Sequence, residues 1–241
     1  MRWVADQIAD KIGGQRALLE HWSGRVEAPA GFAGDVRLAD RIMGGLERTF
    51  RQWKPGEPWD QDAEAARFRG QEGTASRLYF QQLIKLTAGS FEEPFEGRQK
   101  RPAYDPFNAL LNYLYGMLYT SVHLAQLKAG LDPYMGILHA DQYGGKPTLV
   151  YDAIEPYRVW ADDVALRLTL SGLINAVVFE EREDPMEGLW LSSVGKDVVI
   201  GAMLEYLETP APMAGESRLI KRVVQIDRKM QQLAVSLKTY G

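Results

Sequence analysis

Cysteine is absent from the 241 residues of this chain. Its absence excludes disulfide frameworks, cysteine-based zinc sites, iron–sulfur ligation and thiol nucleophiles, and it fits a reducing cytoplasm. A chain of this length buries roughly 70% of its unfolded surface when it folds, so it needs neither a disulfide nor a metal ion merely to fold.

A long uninterrupted apolar run is also missing. The chain start carries Asp6 and has no apolar core, which excludes a signal peptide. The most apolar stretch, 109–127, is interrupted by Asn112, His123 and Gln126, so it predicts a buried helix and not a membrane span. We therefore expect a cytoplasmic protein.

Basic charge is not in excess, because the net charge is −4 and the isoelectric point is near 5.5. The overall balance therefore gives no indication of a nucleic-acid partner. The distribution of charge is more informative, since residues 216–241 carry +4 and leave −8 on the rest of the chain. A second basic cluster consists of Arg98, Lys100 and Arg101.

Apolar residues recur at helical spacing along almost the whole chain, which predicts an all-α fold in one helical domain over 1–241. The first four predicted helices cover 4–22, 38–53, 63–86 and 108–129. A fifth starts at Asp152, a sixth is capped by Asp162 and Asp163 and runs to 178, and a seventh follows Ser192 or Ser193 and runs to 207. The last covers 216–240. A short proline-containing linker is expected near 208–215, and only a weak strand near Trp190.

Three side chains stand out as possible metal ligands, although each has an ordinary structural explanation. His139 lies beside a glycine loop, where histidines often meet ligands. Asp152 precedes Glu155 by three residues, and this spacing is equally typical of a helix-capping box. Glu72 lies between Gly70 and Gly73 and could be a solvated surface residue, although the two glycines predict close approach by a neighbouring helix or a ligand.

Four motifs in order connect these residues. Residues 70–79 read GQEGTASRLY, 105–115 read DPFNALLNYLY, 130–139 read GLDPYMGILH and 149–158 read LVYDAIEPYR. They resemble, in turn, the E-G-x-x-A/S-R-x-Y helix, the D-x-x-N-A-x-L-N-Y-x-Y helix, the G-L-x-P-x-x-G-x-x-H turn and the L-x-x-D-x-x-E-x-x-R helix start of the CRISPR-associated spacer-acquisition integrase/endonuclease family (Cas one). The match is firm over about 70–167 and looser towards both ends.

The resemblance implies a fold, a reaction and a metal site. It implies the helical catalytic domain of that family, with Glu72, His139 and Asp152 as catalytic metal ligands for Mg²⁺ or Mn²⁺. Carboxylate and imidazole ligands suit these ions and leave coordination positions for water and phosphate. The implied activity is integration of short DNA fragments into a CRISPR array by attack of a DNA 3′-OH, with phosphodiester hydrolysis as a side activity.

Further residues are expected to support this site. Asn108 and Asn112 share one helix face and, with Glu155, are predicted to brace the metal ligands; the alternative for the two amides is to satisfy neighbouring backbone. Double-stranded DNA, both the incoming fragment and the repeat, is the expected substrate. The expected phosphate contacts are Arg77, Arg98, Lys100, Arg101, Lys146 and Arg158.

The sequence departs from the family in one large respect. Members usually begin with a β-rich domain that builds the dimer, whereas residues 1–19 here resemble the first helix after that domain. The expectation is a minimal member that forms a homo-oligomer through its helical surface, with or without the small partner (Cas two); a chain trimmed to its catalytic domain would look the same. The alternatives are a transposon-type integrase of the same family, a non-catalytic DNA-binding scaffold subunit, and an all-α protein with accidental matches.

Overall fold

The computed structural model describes residues 1–25, 27–56, 60–136, 145–181 and 183–239. Eight α-helices lie within these ranges. They are α1 (Arg2–Ser23), α2 (Phe32–Arg51), α3 (Gln61–Leu86), α4 (Pro106–Lys128), α5 (Thr148–Ile154), α6 (Arg158–Leu170), α7 (Ser193–Glu208) and α8 (Arg222–Thr239). A single 3₁₀ turn, Glu155–Tyr157, joins α5 to α6.

Polar side chains define the starts of three long helices. Asp60 accepts hydrogen bonds from the first backbone N–H groups of α3, and Ser192 accepts one from the Gly195 N–H in α7. Asp105 accepts from the Asn108 N–H at 2.8 Å, and Pro106 occupies the first turn of α4, where a missing N–H costs nothing.

Helix α4 lies at the centre of the molecule and packs against α5, α6, α7 and α8, while α1 packs against α2, α3 and α6. Phe107, Leu110, Leu111, Leu114 and Leu118 on α4 are completely buried. This apolar stretch is therefore a core helix, as predicted. No helix in the described part of the chain is long and apolar enough to cross a membrane.

The all-α prediction is confirmed, because the strands in the described part of the chain form only two short antiparallel pairs between helices. Strand β1 (Phe179–Glu181) pairs antiparallel with β2 (Leu189–Leu191), and Glu180 lies opposite Trp190. The weak strand expected near Trp190 is therefore present and has a partner. Strand β3 (Pro210–Ala211) pairs with β4 (Ile220–Lys221).

Several predicted boundaries were wrong. Asp152 does not cap a helix, since α5 begins four residues earlier at Thr148. Asp162 and Asp163 lie buried inside α6, which ends at Leu170 and does not continue to 178. Helix α8 starts at Arg222 and not at 216, because the segment from 210 to 221 forms the β3–β4 hairpin.

Close packing against a neighbouring helix does not explain the glycines of α3. A Cβ atom added at Gly70 or at Gly73 would have no described atom within 4 Å. Among the described residues, the expected approach of a neighbouring helix is therefore wrong, and the expected approach of a ligand stays a prediction.

Candidate active site

A cavity of about 590 Å³ opens beside α1, α3 and α4. Its walls combine two carboxylates with four cations and three aromatic rings. The lining residues are Lys11, Glu72, Phe80, Arg98, Lys100, Tyr115, Tyr151, Glu155 and Arg158. The cavity thus brings together side chains from three of the four motifs, with Lys11 added from α1.

Lys11 links the two carboxylates across the cavity floor. Its Nζ donates to Glu155 Oε2 at 2.7 Å and to Glu72 Oε1, although its side chain is only 10% exposed. Glu155 Oε1 also accepts from Arg158 Nε at 2.8 Å. These ion pairs therefore connect three elements: α1, α3 and the 3₁₀ turn before α6.

The pKa values of this cluster follow from burial opposed by ion pairing. Burial lowers the pKa of Lys11, but Glu155 and Glu72 outweigh burial and raise it above its ordinary value. Burial raises the pKa of the Glu155 carboxyl, but Arg158 and Lys11 outweigh burial and lower this pKa to about 2. Lys11 and Glu155 therefore both remain charged across the neutral range.

Lys11 is a site residue that the sequence analysis missed, although a signal was present. The buried face of α1 includes Val4, Ile8, Leu18 and Trp22, and Lys11 occupies a position on that face. A lysine at an apolar position of an amphipathic helix needs a buried partner. The identity of the partners is not encoded locally, since Glu72 and Glu155 lie 61 and 144 residues away.

Asn108 and Asn112 contact Arg98. Arg98 Nη1 donates to Asn108 Oδ1 at 2.9 Å, and Nη2 donates to Asn112 Oδ1 at 2.6 Å. Asn108 Nδ2 also donates to the Gly97 carbonyl, which holds the loop in place. The side-chain contacts of this pair therefore support Arg98, a predicted phosphate-binding cation, and those of Asn108 also satisfy the neighbouring backbone at Gly97 and Gln99, which was the stated alternative. Bracing of the metal ligands stays a prediction.

Tyr115 forms the inner wall between two arginines. Its ring centroid lies 5.0 Å from the Arg98 guanidinium carbon and 4.8 Å from that of Arg158. Its hydroxyl donates to Asp162 Oδ1 at 2.5 Å, and the Tyr79 hydroxyl donates to Asp162 Oδ2 at 2.8 Å. Burial raises the pKa of Asp162 to about 6, because the two tyrosine hydrogen bonds and the nearby arginines offset it only in part.

The remaining predicted residues are distributed as follows. Asp152 is 4% exposed on α5, next to Tyr151, which lines the cavity. His139 lies outside the described residues. Arg77 and Lys146 are exposed and are not among the described lining residues, whereas Arg101 lines a neighbouring cavity.

The described donors are of the type that a magnesium or manganese site requires. Glu72 presents a carboxylate at the cavity with 30% of its side chain exposed, and Asp152 is a second carboxylate, buried on α5 and not among the described lining residues. Within the described ranges no three His, Cys, Asp or Glu side chains form a cluster that could hold an ion. His139, the third ligand that the resemblance implies, lies outside the described residues, and a set of two carboxylates and one imidazole fits a hard divalent cation.

Comparison with known families accounts for the four motifs. The model of the family described as "CRISPR associated protein Cas1" matches residues 1–205. The chain belongs to the Cas1 family. The family prediction made from the motifs is thereby confirmed.

Curated Cas1 relatives are similar over about half of this chain. A Cas1 endonuclease of Thermus thermophilus is 41% identical over 124 residues, which cover 51% of this chain and 36% of the relative. One from Rhodospirillum rubrum is 36% identical over 163 residues, covering 62% and 46% respectively. The aligned region spans less than half the length of these relatives.

Solved structures show the same fold at low sequence identity. A partial Cas6-RT-Cas1–Cas2 complex matches with a TM-score of 0.79 at 21% identity, covering 99% of this chain and 65% of that one. A casposase bound to integration product matches with a TM-score of 0.75 at 20% identity, covering 99% and 60%. These similarities show that this Cas1 family member shares its helical architecture with the two solved structures.

Proposed function

We propose that this chain carries the catalytic centre of a divalent-metal-dependent DNA integrase that inserts short DNA fragments into a CRISPR array. Membership of the Cas1 family supports the reaction class, and relatives are named as Cas1 endonucleases. The observation that carries the proposal is the cavity, in which Glu72 and four cations face the same space. A metal ion requires a carboxylate such as Glu72, and an anionic phosphodiester requires the cations.

The proposed reaction is a transesterification. The 3′-OH oxygen of the incoming DNA attacks phosphorus at the repeat boundary, and a new P–O bond forms as the bond to the repeat strand's 3′ oxygen breaks. The attacking hydroxyl loses its proton to solvent, and the departing 3′ oxygen takes one up. Water in place of the 3′-OH gives hydrolysis at the same site.

Each residue of the cavity has a task in this proposal. Glu72, His139 and Asp152 would hold Mg²⁺ or Mn²⁺, which when bound polarises the phosphoryl oxygen. Arg98, Lys100 and Arg158 would contact phosphate oxygens and orient the strand. Lys11 and Glu155 would hold Glu72 at the cavity wall through the ion pairs described above.

The expected substrates and partners follow from the same proposal. Double-stranded DNA would supply both the incoming fragment and the repeat, and the neighbours among the solved structures include a partial Cas6-RT-Cas1–Cas2 complex and a casposase bound to integration product. Assembly as a homo-oligomer, with or without a Cas2-type subunit, would place two such sites on one DNA. Integration of mobile-element ends by the same chemistry is the second candidate, because the casposase shares the fold.

The test is strand transfer in vitro with the purified chain. A labelled duplex is mixed with supercoiled plasmids with and without CRISPR repeats, in Mg²⁺ or Mn²⁺. Joined product that is lost with EDTA and with His139→Ala is expected, and a preference for the repeat plasmid separates spacer acquisition from transposition. Folded protein that binds DNA but yields no product, even with a Cas2-type subunit added, would overturn the proposal in favour of a scaffold subunit.

A further inference from the structure

The two carboxylate oxygens of Glu72 have different surroundings. Oε1 accepts from the Lys11 ammonium group and from Ser76 Oγ, the latter at 3.3 Å. Oε2 accepts from no residue in the described part of the chain. Because each carboxylate oxygen offers about two lone-pair positions, the two donors occupy those of Oε1. Oε2 is therefore the oxygen that Glu72 has left for a cation.

Lys11 is held against Glu72 from its other side. Its Nζ also donates to Glu155 Oε2 at 2.7 Å, and Glu155 Oε1 accepts from Arg158 Nε at 2.8 Å. The Lys11 side chain is buried, and separating a buried ammonium group from its carboxylates is costly. The alternating charges from Arg158 to Glu72 thus fix the Lys11 ammonium group at one oxygen of Glu72.

Glu155, the other carboxylate of the cavity lining, has no oxygen to spare. Lys11 contacts its Oε2 and Arg158 contacts its Oε1. Glu72 is also the more exposed of the two side chains, at 30% against 22%. Of the two lining carboxylates, Glu72 is therefore the one that can bind a cation, and it can do so through one oxygen.

The number of oxygens that a carboxylate offers affects which ion it binds. Ca²⁺ takes about six to eight oxygen ligands and often binds both oxygens of one carboxylate. Mg²⁺ is smaller, requires near-octahedral geometry and keeps several of its waters, and Mn²⁺ also prefers an octahedral set of oxygens. A glutamate with one available oxygen therefore suits the octahedral ions and disfavours Ca²⁺.

We propose that Lys11 is a positioning residue that sets the metal selectivity of the active site. By occupying Oε1 of Glu72 together with Ser76, it restricts this carboxylate to one oxygen and so favours Mg²⁺ or Mn²⁺ over Ca²⁺. The inference rests on the metal-dependent function proposed above. The positive charge of Lys11 also repels every divalent cation alike, so the ratio of affinities between two ions, and not either affinity alone, reports the positioning role.

The experiment measures Mn²⁺ binding to the full chain in the absence of DNA. The electron paramagnetic resonance signal of free Mn²⁺ gives the Mn²⁺ affinity, and displacement of bound Mn²⁺ by Ca²⁺ gives the ratio of the two affinities. Glu72→Gln should abolish the site, which identifies the bound Mn²⁺ that belongs to it. The intact chain should bind Mn²⁺ more tightly than Ca²⁺ at this site.

Two substitutions free Oε1 of Glu72 in different ways. Lys11→Met should shift the affinity ratio roughly tenfold towards Ca²⁺, at the lower end of the effect that partners of metal ligands have on affinity. Ser76→Ala keeps every charge of the cluster and should shift the ratio in the same direction by a smaller factor. Because Lys11→Met leaves Glu155 short of a partner, the double variant Lys11→Met/Glu155→Gln removes both members of that ion pair and should show the tenfold shift with a smaller loss of stability.

Lys100→Met is the matched control for charge. Lys100 lines the same cavity, and it has no described contact with Glu72. Its removal takes one positive charge away from the cavity and leaves both donors on Oε1 in place. The affinities for Mn²⁺ and Ca²⁺ should therefore rise together, and their ratio should stay that of the intact chain.

The outcomes separate this inference from the proposed function. If folded Ser76→Ala and the double variant keep the Mn²⁺-to-Ca²⁺ ratio of the intact chain, Lys11 does not set the selectivity, while the metal site stands. A shift in Lys100→Met as large as in Lys11→Met would assign the effect to charge alone and also overturn the inference. If the intact, folded chain binds no Mn²⁺ that Glu72→Gln removes, the metal-dependent function fails together with it.

Discussion

Glu155, which is partly buried, and Asp162, which is fully buried, are carboxylates only seven residues apart, yet their pKa values shift in opposite directions. Glu155 is contacted by Lys11 and Arg158, two cations, and its pKa falls to about 2. Asp162 is contacted by the hydroxyls of Tyr79 and Tyr115, which are neutral, and its pKa rises to about 6. Burial raises the pKa of both carboxyls; the two cations outweigh burial at Glu155, whereas the hydrogen bonds of the two neutral hydroxyls offset it only in part at Asp162.

The two regions serve the molecule differently. The Lys11–Glu155 region keeps its charges at the cavity at any physiological pH, as the proposed site for phosphate and metal requires. The Asp162 region lies behind Tyr115, whose ring separates it from Arg98 and Arg158. Its hydrogen bonds to Tyr79 and Tyr115 anchor the wall of the cavity, and the proposed reaction assigns it no chemical role.

The largest expected effect comes from removing the Lys11 ammonium group from the Lys11–Glu155 region. Lys11→Met leaves Glu72 and Glu155 without their shared ammonium group, and the loss of one partner from a buried ion pair costs about 3–5 kcal/mol. Urea unfolding at pH 7 measures the change. Lys85→Met is the matched control, because Lys85 pairs with Asp35 on the surface and such pairs contribute at most about 1 kcal/mol. Equal losses in the two variants would contradict the account of the Lys11 cluster.

The second prediction concerns the pH dependence of stability in the Asp162 region. Because the pKa of Asp162 is about 6 in the folded state and near 3.8 when exposed, the folded state holds its proton more tightly. This term favours folding below pH 4 and is lost as the pH rises through 6, a change of about 3 kcal/mol. Asp162→Asn removes the term, so between pH 4 and pH 7 its stability relative to the wild-type chain should rise by about that amount.

Thermal or urea unfolding over this pH range measures the Asp162 effect. Asp197→Asn on α7 is the control, since Asp197 is exposed and a surface substitution changes stability by only about 0.5 kcal/mol. A stability difference between Asp162→Asn and wild type that is constant with pH would show that Asp162 does not titrate in this range.

The smallest predicted effect is on DNA binding. Arg98→Ala removes one cation from the active-site cavity, which should weaken binding to any DNA sequence and reduce the salt slope by about 1. Arg77→Ala removes an exposed arginine that is not among the described lining residues of the cavity, and it should change the slope less. Anisotropy titrations at several salt concentrations measure both, and a larger slope change for Arg77→Ala would contradict the assignment.

Local patterns in the sequence predicted most of the helices and the family. Apolar periodicity identified α3, α4 and α7 to within two residues at either end, and of the two serines predicted at the start of α7 it is Ser192 that caps the helix. The motifs placed Glu72 and Arg158 among the functional residues, and both line the cavity. These features depend on residues close together in the chain, which is why pattern analysis found them.

The errors involve contacts between distant segments. Asp162 resembled a helix cap because carboxylates usually occupy such positions, but Tyr79 and Tyr115, 83 and 47 residues away, satisfy it inside α6. Lys11 stood out only as a lysine on the apolar face of α1, and its partners Glu72 and Glu155 lie on other elements. No local pattern contains this information.

The most direct test of the central claim compares strand transfer by Glu72→Gln and by Asp162→Asn under identical conditions. Both substitutions replace a carboxyl group by an amide of the same shape. The account predicts that Glu72→Gln abolishes joined product, because Glu72 would hold the metal ion, and that Asp162→Asn retains most of it, because that carboxylate only anchors the wall. Product from Glu72→Gln, or its complete loss in a folded Asp162→Asn variant, would contradict the account.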